Sequence, residues 1–132
     1  MELLSSIRSS KLIYLGLPTL LLVLYVFLIP SPSVSQIHLQ DNLGYIAEGY
    51  DFTILRLSQS GQIARLSSST LPYLVKNFTV ENKRAYVITG DNSIHIIDVN
   101  DPSNPKKLGE WNSPGTAHSV AISGGFAYVA NH

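Results

Sequence analysis

The chain of 132 residues repeats itself, and no other feature of it limits the fold so tightly. Leu43-Gly44-Tyr45-Ile46-Ala47-Glu48-Gly49, Arg84-Ala85-Tyr86-Val87-Ile88-Thr89-Gly90 and Phe126-Ala127-Tyr128-Val129-Ala130-Asn131-His132 share one pattern. The tyrosines stand 41 residues apart (86 minus 45) and then 42 apart (128 minus 86). The spacing extends beyond them. At 42, Leu66 meets Leu108, Pro72 meets Pro114, Phe78 meets Val120 and Val80 meets Ile122; at 41, Ile37 meets Phe78 and Leu39 meets Val80. Thr53–Leu57 is aligned with Ser93–Ile97 by letting the loop after Gly49 absorb one residue. A period of this length marks a repeat architecture, in which each unit is one supersecondary element that needs neighbours to cover it.

Each unit reads as four short strands. In the second they are predicted at Val75–Val80, Ala85–Thr89, Ser93–Val99 and Lys106–Trp111. Phe78 and Val80 alternate with Asn77, Thr79 and Glu81, the two-residue period of a strand. The next two strands are rich in β-branched and aromatic residues. Turn residues separate them: Glu81-Asn82-Lys83-Arg84, Gly90-Asp91-Asn92-Ser93 and Asp101-Pro102-Ser103-Asn104-Pro105. Gly90 offers a positive-φ position, and Pro102 fixes φ for a turn. After Gln36 no stretch has a sustained helical period.

Four strands every ~40 residues is the pattern of a β-propeller blade. The prediction is an all-β fold, a partial β-propeller of about two and a half four-stranded blades over 36–132. A small β-sandwich also fits the length, but a sandwich has no reason to repeat at a constant spacing. Propellers have ~4–8 blades, and four would take roughly 165 residues. The expectation is therefore that this sequence is the N-terminal part of a longer protein, with oligomeric assembly of partial rings as the other account.

The N-terminal residues are a different material. From Leu12 to Ile29 only Gly16, Pro18 and Thr19 interrupt an apolar run, and no charged residue occurs from Leu12 through Gln40. As a helix this run is about 27 Å long and can just span a bilayer core of about 30 Å. The reading is an N-terminal transmembrane or signal helix at 12–29, after a cytoplasmic segment 1–11 carrying Arg8 and Lys11, with 30–35 as a spacer. Ser33-Val34-Ser35 offers a cleavage site, but the run exceeds the usual ~7–15 residues of a signal peptide, which favours an uncleaved anchor. The positive-inside bias exports the repeats in either case. Localisation is thus expected to be membrane-anchored or secreted, with the repeats outside the cytoplasm.

At Ile94-His95-Ile96-Ile97-Asp98 and the turn Asp101–Pro105 the chain resembles the LVIVD-repeat family of exported β-propeller-like proteins. Ser119–Ala130 looks like the opening of that family's next blade. The resemblance is strong over about 75–132 and weaker over 36–74, where Leu57-Ser58-Gln59-Ser60-Gly61-Gln62 stands in place of the Asp-Pro turn. It implies cell-surface or secreted proteins without an assigned reaction, and a fold rather than a chemistry.

Composition narrows the chemistry further. The chain has no cysteine, which removes disulfide scaffolds, cysteine-ligated metals and thiol nucleophiles. Its 9 basic and 9 acidic residues give no electrostatic footprint for nucleic acid. His38, His95, His118 and His132 include no pair at metal-ligand spacing, and Asp91, Asp98, Asn100 and Asp101 do not follow a calcium-loop order. His95 reads as a sheet-face residue opposite Ile94 and Ile96. Trp111 reads as inter-blade packing. Asn77-Phe78-Thr79 fits a glycosylation acceptor but falls within a strand. No catalytic, cofactor or metal residues are assigned. The binding-face candidates are Lys76 and His118, which align in the repeat at the start of the innermost strand, near the mouth of a propeller channel.

The leading function is a non-catalytic module that binds protein or glycan outside the membrane, held by residues 12–29. The alternatives are the N-terminal part of an extracytoplasmic propeller enzyme whose active site lies beyond residue 132, and a structural surface component.

Overall fold

The computed structural model describes residues 34–132. Strands β1 (Val34–Gln40), β2 (Leu43–Glu48), β3 (Asp51–Leu57) and β4 (Ile63–Thr70) form one antiparallel sheet in chain order. Strands β5 (Val75–Glu81), β6 (Arg84–Thr89), β7 (Ser93–Asp98) and β8 (Lys106–Asn112) form a second in the same order. Strands β9 (Ala117–Ser123) and β10 (Phe126–Asn131) pair as a third unit. Every described element is a strand, as the repeat predicts. The helix predicted at 12–29 lies outside the described residues, as do 1–11 and the start of the spacer; among the described residues no helix is long and apolar enough to cross a membrane.

Local chemistry makes the hairpins. Asn82 and Lys83 both take positive φ (51° and 61°), as do Gly124 and Gly125 (57° and 81°), giving the turn twist that joins two adjacent strands without splaying them. In the turn after β6 the left-handed residue is Asn92 (φ 67°) and not Gly90, which corrects the expectation for that glycine. Asn tolerates this conformation because its short amide bonds locally.

The two complete units share even their irregularities. On the first strand of each unit the ladder skips one residue, Ser35 in β1, Lys76 in β5 and His118 in β9. Between the outer pairs it skips Leu66 in β4 and Leu108 in β8. All of these obey the 41–42 spacing, so the bulges belong to the repeat. One sequence alignment changes. Tyr45 pairs with Ile54 and Tyr86 with Ile96, so Thr53 is equivalent to His95 and not to Ser93. The extra residue lies in the turn after Gly90, not in the one after Gly49.

The units pack face to face. One core holds Tyr45, Ala47, Phe52 and Ile54 of the first unit against Phe78, Val80, Ala85, Val87 and Ile97 of the second. Phe52 and Phe78 meet across it edge to face, with ring centroids 5.2 Å apart. The opposite face of the second unit supplies Ile88 and Ile94 to a second core with Ala117 and Val120 of β9. Both faces of the second sheet are therefore covered, the situation a stacked repeat requires. Trp111 departs from expectation: it is 46% exposed and lies outside both cores.

The links between units, 71–74 and 113–116, run along the same end of the sheets as the turns 49–50 and 90–92. Val75 N donates to Gly49 O (2.8 Å), Gly90 N to Leu74 O (2.8 Å) and Ser113 N to Asn92 O (3.1 Å). This linker end also carries the start of β1. The other end carries the tight hairpins and the loops 58–62 and 99–105.

Candidate functional site

Lys76 and His118 occupy one structural position, the extra residue of the inner-strand bulge. A bulge re-aims a side chain and is enriched next to functional sites. Both residues are exposed at the linker end. Lys76 Nζ donates to Asn92 Oδ1 (3.1 Å). His118 Nε2 lies 2.8 Å from His132 Nδ1, with the rings stacked at 4.5 Å. In the second and third units the bulge residue thus leans on a residue that follows the second strand. The structure does not join Lys76 to His118 through a direct polar contact. The link between their strands runs through Asn77, whose Nδ2 donates to the His118 carbonyl (3.1 Å).

That bond has a counterpart one unit earlier. Gln36, equivalent to Asn77, accepts the Phe78 N–H through Oε1 (2.8 Å). Two side-chain amides at one repeat position therefore stitch β1 to β5 and β5 to β9. This is the structural role of Asn77, whose Asn-Phe-Thr sequence fits a glycosylation acceptor.

Sequence reasoning missed a polar chain in the second unit. His95 is fully buried, on the face turned to the first unit, rather than a plain sheet-face residue. Its Nε2 lies 3.2 Å from Thr89 Oγ1. Thr89 Oγ1 has Asp91 Oδ1 at 2.7 Å and the Ser93 carbonyl at 3.2 Å, both acceptors. The single hydroxyl proton goes to one of them, so His95 Nε2 must be the donor to Thr89. Asp91 also accepts from Ser93 Oγ (2.7 Å). Burial pushes the Asp91 carboxyl up, but the hydrogen bonds from Thr89 and Ser93 outweigh it and hold the carboxyl below its ordinary range. On the other side of the ring, His95 Nδ1 has no hydrogen-bond partner, with Glu110 Oε2 at 3.4 Å. Burial holds the imidazole below its ordinary pKa against the opposing pull of Glu110. Glu110 itself is held low, first by its hydrogen bond from Lys107 Nζ (2.6 Å).

The order hydroxyl, imidazole, carboxylate in Thr89, His95 and Glu110 is that of a hydrolytic triad, and the geometry removes that reading. A triad base accepts the hydroxyl proton at one ring nitrogen and donates from the other to the carboxylate. Here Nε2 donates, Nδ1 is bare, and the Thr89 hydroxyl is fully buried. The chain is a structural network that joins β6, β7 and β8. The remaining acidic turn residues serve their own backbone: Asp98 accepts from Asn100 N (2.9 Å) and Asp101 from Ser103 N (3.1 Å). They lie at the opposite end of β7 from Asp91. Among the described residues no group of three or more His, Asp or Glu is placed to hold a metal ion.

A β-sheet repeat with recurring bulges, first strands laid side by side and polar residues re-aimed at one end defines a repeat module. Comparison with protein families gives the class its name: residues 74–112 and 114–132 match the LVIVD repeat. These two stretches carry LVIVD repeats and coincide with the second unit and with β9 and β10 of the third. A search of curated proteins gives no match.

Proposed function

We propose that this chain is a membrane-anchored or secreted interaction module whose LVIVD units stack as propeller blades outside the cytoplasm and bind protein or glycan. The observation that carries the propeller reading is the side-by-side run of β1, β5 and β9, stitched by Gln36 and Asn77 at one repeat position. Such a run is how innermost strands neighbour one another around a propeller axis. The export reading rests on the apolar, charge-free residues 12–29 behind Arg8 and Lys11. The bulged positions of Lys76 and His118 support them as binding-face residues, because both side chains stand clear of the ladder at the same end.

Protease added to intact spheroplasts expressing the full chain tests the export reading. Digestion of the repeats in intact spheroplasts is the expected result. Digestion only after lysis would place the repeats in the cytoplasm and overturn it.

A further inference from the structure

The linker end carries an exposed apolar rim between the first and second units. Tyr50 in the turn after β2 is 50% exposed, and Tyr73 and Leu74 in the link to β5 are 49% and 52% exposed. The backbone fixes them together: Leu71 N donates to Tyr50 O (2.7 Å), Val75 N to Gly49 O (2.8 Å) and Gly90 N to Leu74 O (2.8 Å). Three large apolar side chains held to solvent on a rigid frame need an explanation, because contiguous exposed patches mark protein or membrane contacts.

The repeat supplies an internal control. At the equivalent positions of the next junction stand Asp91 for Tyr50, Gly115 for Tyr73 and Thr116 for Leu74. The fold therefore does not demand aromatic or branched residues there. Polar or small ones serve the same backbone, so the apolar rim is a property of the first junction alone.

The position of that junction selects the partner. The apolar run ends at Ile29 and β1 begins at Val34, five residue steps later. Even fully extended, those steps span about 17 Å. The start of β1 lies at the linker end, beside the Gly49–Tyr50 turn, because Val34 pairs with Glu48. An anchor at 12–29 thus holds this end at the headgroup layer, and places the opposite end farther out by a strand length of about 24 Å. Tyrosines are enriched at that depth, where a ring lies among acyl chains and its hydroxyl in water. Charge at this end is net acidic, so the contact rests on the apolar rim and not on attraction to anionic lipid. Asp51 accepts from Thr70 Oγ1 (2.6 Å) and Asp91 from Thr89 and Ser93, while Lys76 adds a cation two residues from Leu74. Glu48, at the end of β2, is the third acidic group of this end.

We infer that Tyr50, Tyr73 and Leu74 form a membrane-contact rim that seats the first two units on the phospholipid interface of the bilayer holding residues 12–29. This rests on the anchor reading above. It seats the Tyr50–Leu74 edge of the linker end at the lipid surface, with the loops 58–62 and 99–105 facing away from it, so a protein or glycan bound through Lys76 and His118 is met beside the membrane.

The absence of native cysteine permits a clean test. The full chain is reconstituted into phosphatidylcholine–phosphatidylglycerol vesicles with one cysteine, at Pro72→Cys beside the rim or Asn104→Cys at the far end. Each carries an environment-sensitive fluorophore. The probe at 72 is expected to be blue-shifted by the lipid environment and quenched by shallow doxyl-labelled phosphatidylcholine, and the probe at 104 to stay aqueous and unquenched. Adding Tyr50→Ser, Tyr73→Ser and Leu74→Ser should return the probe at 72 to an aqueous signal while the protein resists alkaline carbonate extraction. Extraction of the unmodified protein by carbonate would overturn the anchor reading and this inference with it. Carbonate resistance with equal, aqueous signals at 72 and 104 would overturn the rim alone, leaving the anchor intact and the tyrosines to a protein partner.

Discussion

The first and second units share a backbone down to the placement of their bulges, yet differ at a few equivalent side chains. On one face the first unit holds Thr53 against Ser68 through a neutral 2.9 Å hydroxyl pair. At the same two positions the second holds His95 and Glu110, an imidazole and a carboxylate. At the linker end the first junction shows tyrosines to solvent, and the second shows Asp91, Gly115 and Thr116. Period, turns and bulges are thus the common part, because each is required to stack one sheet on the next. The positions free to vary are the buried polar pair, which either ionises or does not, and the rim, which meets the surroundings. Individual function in a repeat protein collects at such positions.

The largest expected effect tests whether the shared backbone also means a shared fate on unfolding. Phe78 is buried against Phe52 of the preceding unit, while its equivalent in the first unit, Ile37, is only half-buried. Phe78→Ala should cost about 3–5 kcal/mol, the usual range for a buried aromatic. Ile37→Ala should cost less than half of that. Denaturant unfolding followed by circular dichroism checks both. Equal losses at the two positions would mean that the units do not stack as described.

The second expectation turns on the ionisable pair. Burial holds the folded-state pKa of His95 below its unfolded value, with Glu110 and Asp91 pulling it up and Lys107 pushing it down. The unfolded chain therefore binds the proton more readily. The resulting stability is fully present above the unfolded value of about 6.5 and is lost as pH falls below it, until the folded pKa is passed. Asp91 and Glu110, also held low, lose their contributions in the same direction but in the more acid carboxylate range. Importing the first unit's pair, His95→Thr with Glu110→Ser, should flatten the pH dependence of the thermal unfolding midpoint just below about pH 6.5. An unchanged slope in the double variant would show that His95 is not the group responsible.

Much of this was legible in the sequence. The predicted strands Val75–Val80, Ala85–Thr89, Ser93–Val99 and Lys106–Trp111 fall within a residue of β5 to β8 at each end. Alternation and turn residues are local signals, and two-residue periods leave little freedom. The bulges were not legible, because a skipped residue shows only against its cross-strand partner. Lys76 and His118 were found as a repeat-equivalent pair, without the bulge that explains them. His95 was placed on the correct face, but its burial depends on a neighbouring sheet that no local pattern reports. Thr53 was aligned two residues away from its equivalent because the turn after Gly90 is longer, and turn length is visible only once the strands are paired. The signal that could have revealed the His95 network was the run Thr89, Asp91, Ser93, His95 at alternate positions across one turn. The exposed tyrosines of the rim carried no sequence signal beyond their departure from the repeat.

The smallest expected effect is the most specific. Gln36 and Asn77 occupy one repeat position, but their amides work in opposite senses. A backbone N–H can only donate, so Gln36 acts as an acceptor toward Phe78; a carbonyl can only accept, so Asn77 acts as a donor toward His118. Replacing either with alanine should cost about 0.5–1.5 kcal/mol, the net worth of one such bond. The acidic isosteres separate the two positions. Gln36→Glu keeps an oxygen for the Phe78 N–H and should leave stability near that of the native chain. Asn77→Asp loses its donor and sets a carboxylate against a carbonyl, so it should destabilise more than Asn77→Ala. If both acidic variants behave alike, the amides do not stitch the inner strands, and the side-by-side run of β1, β5 and β9 is held by apolar packing alone.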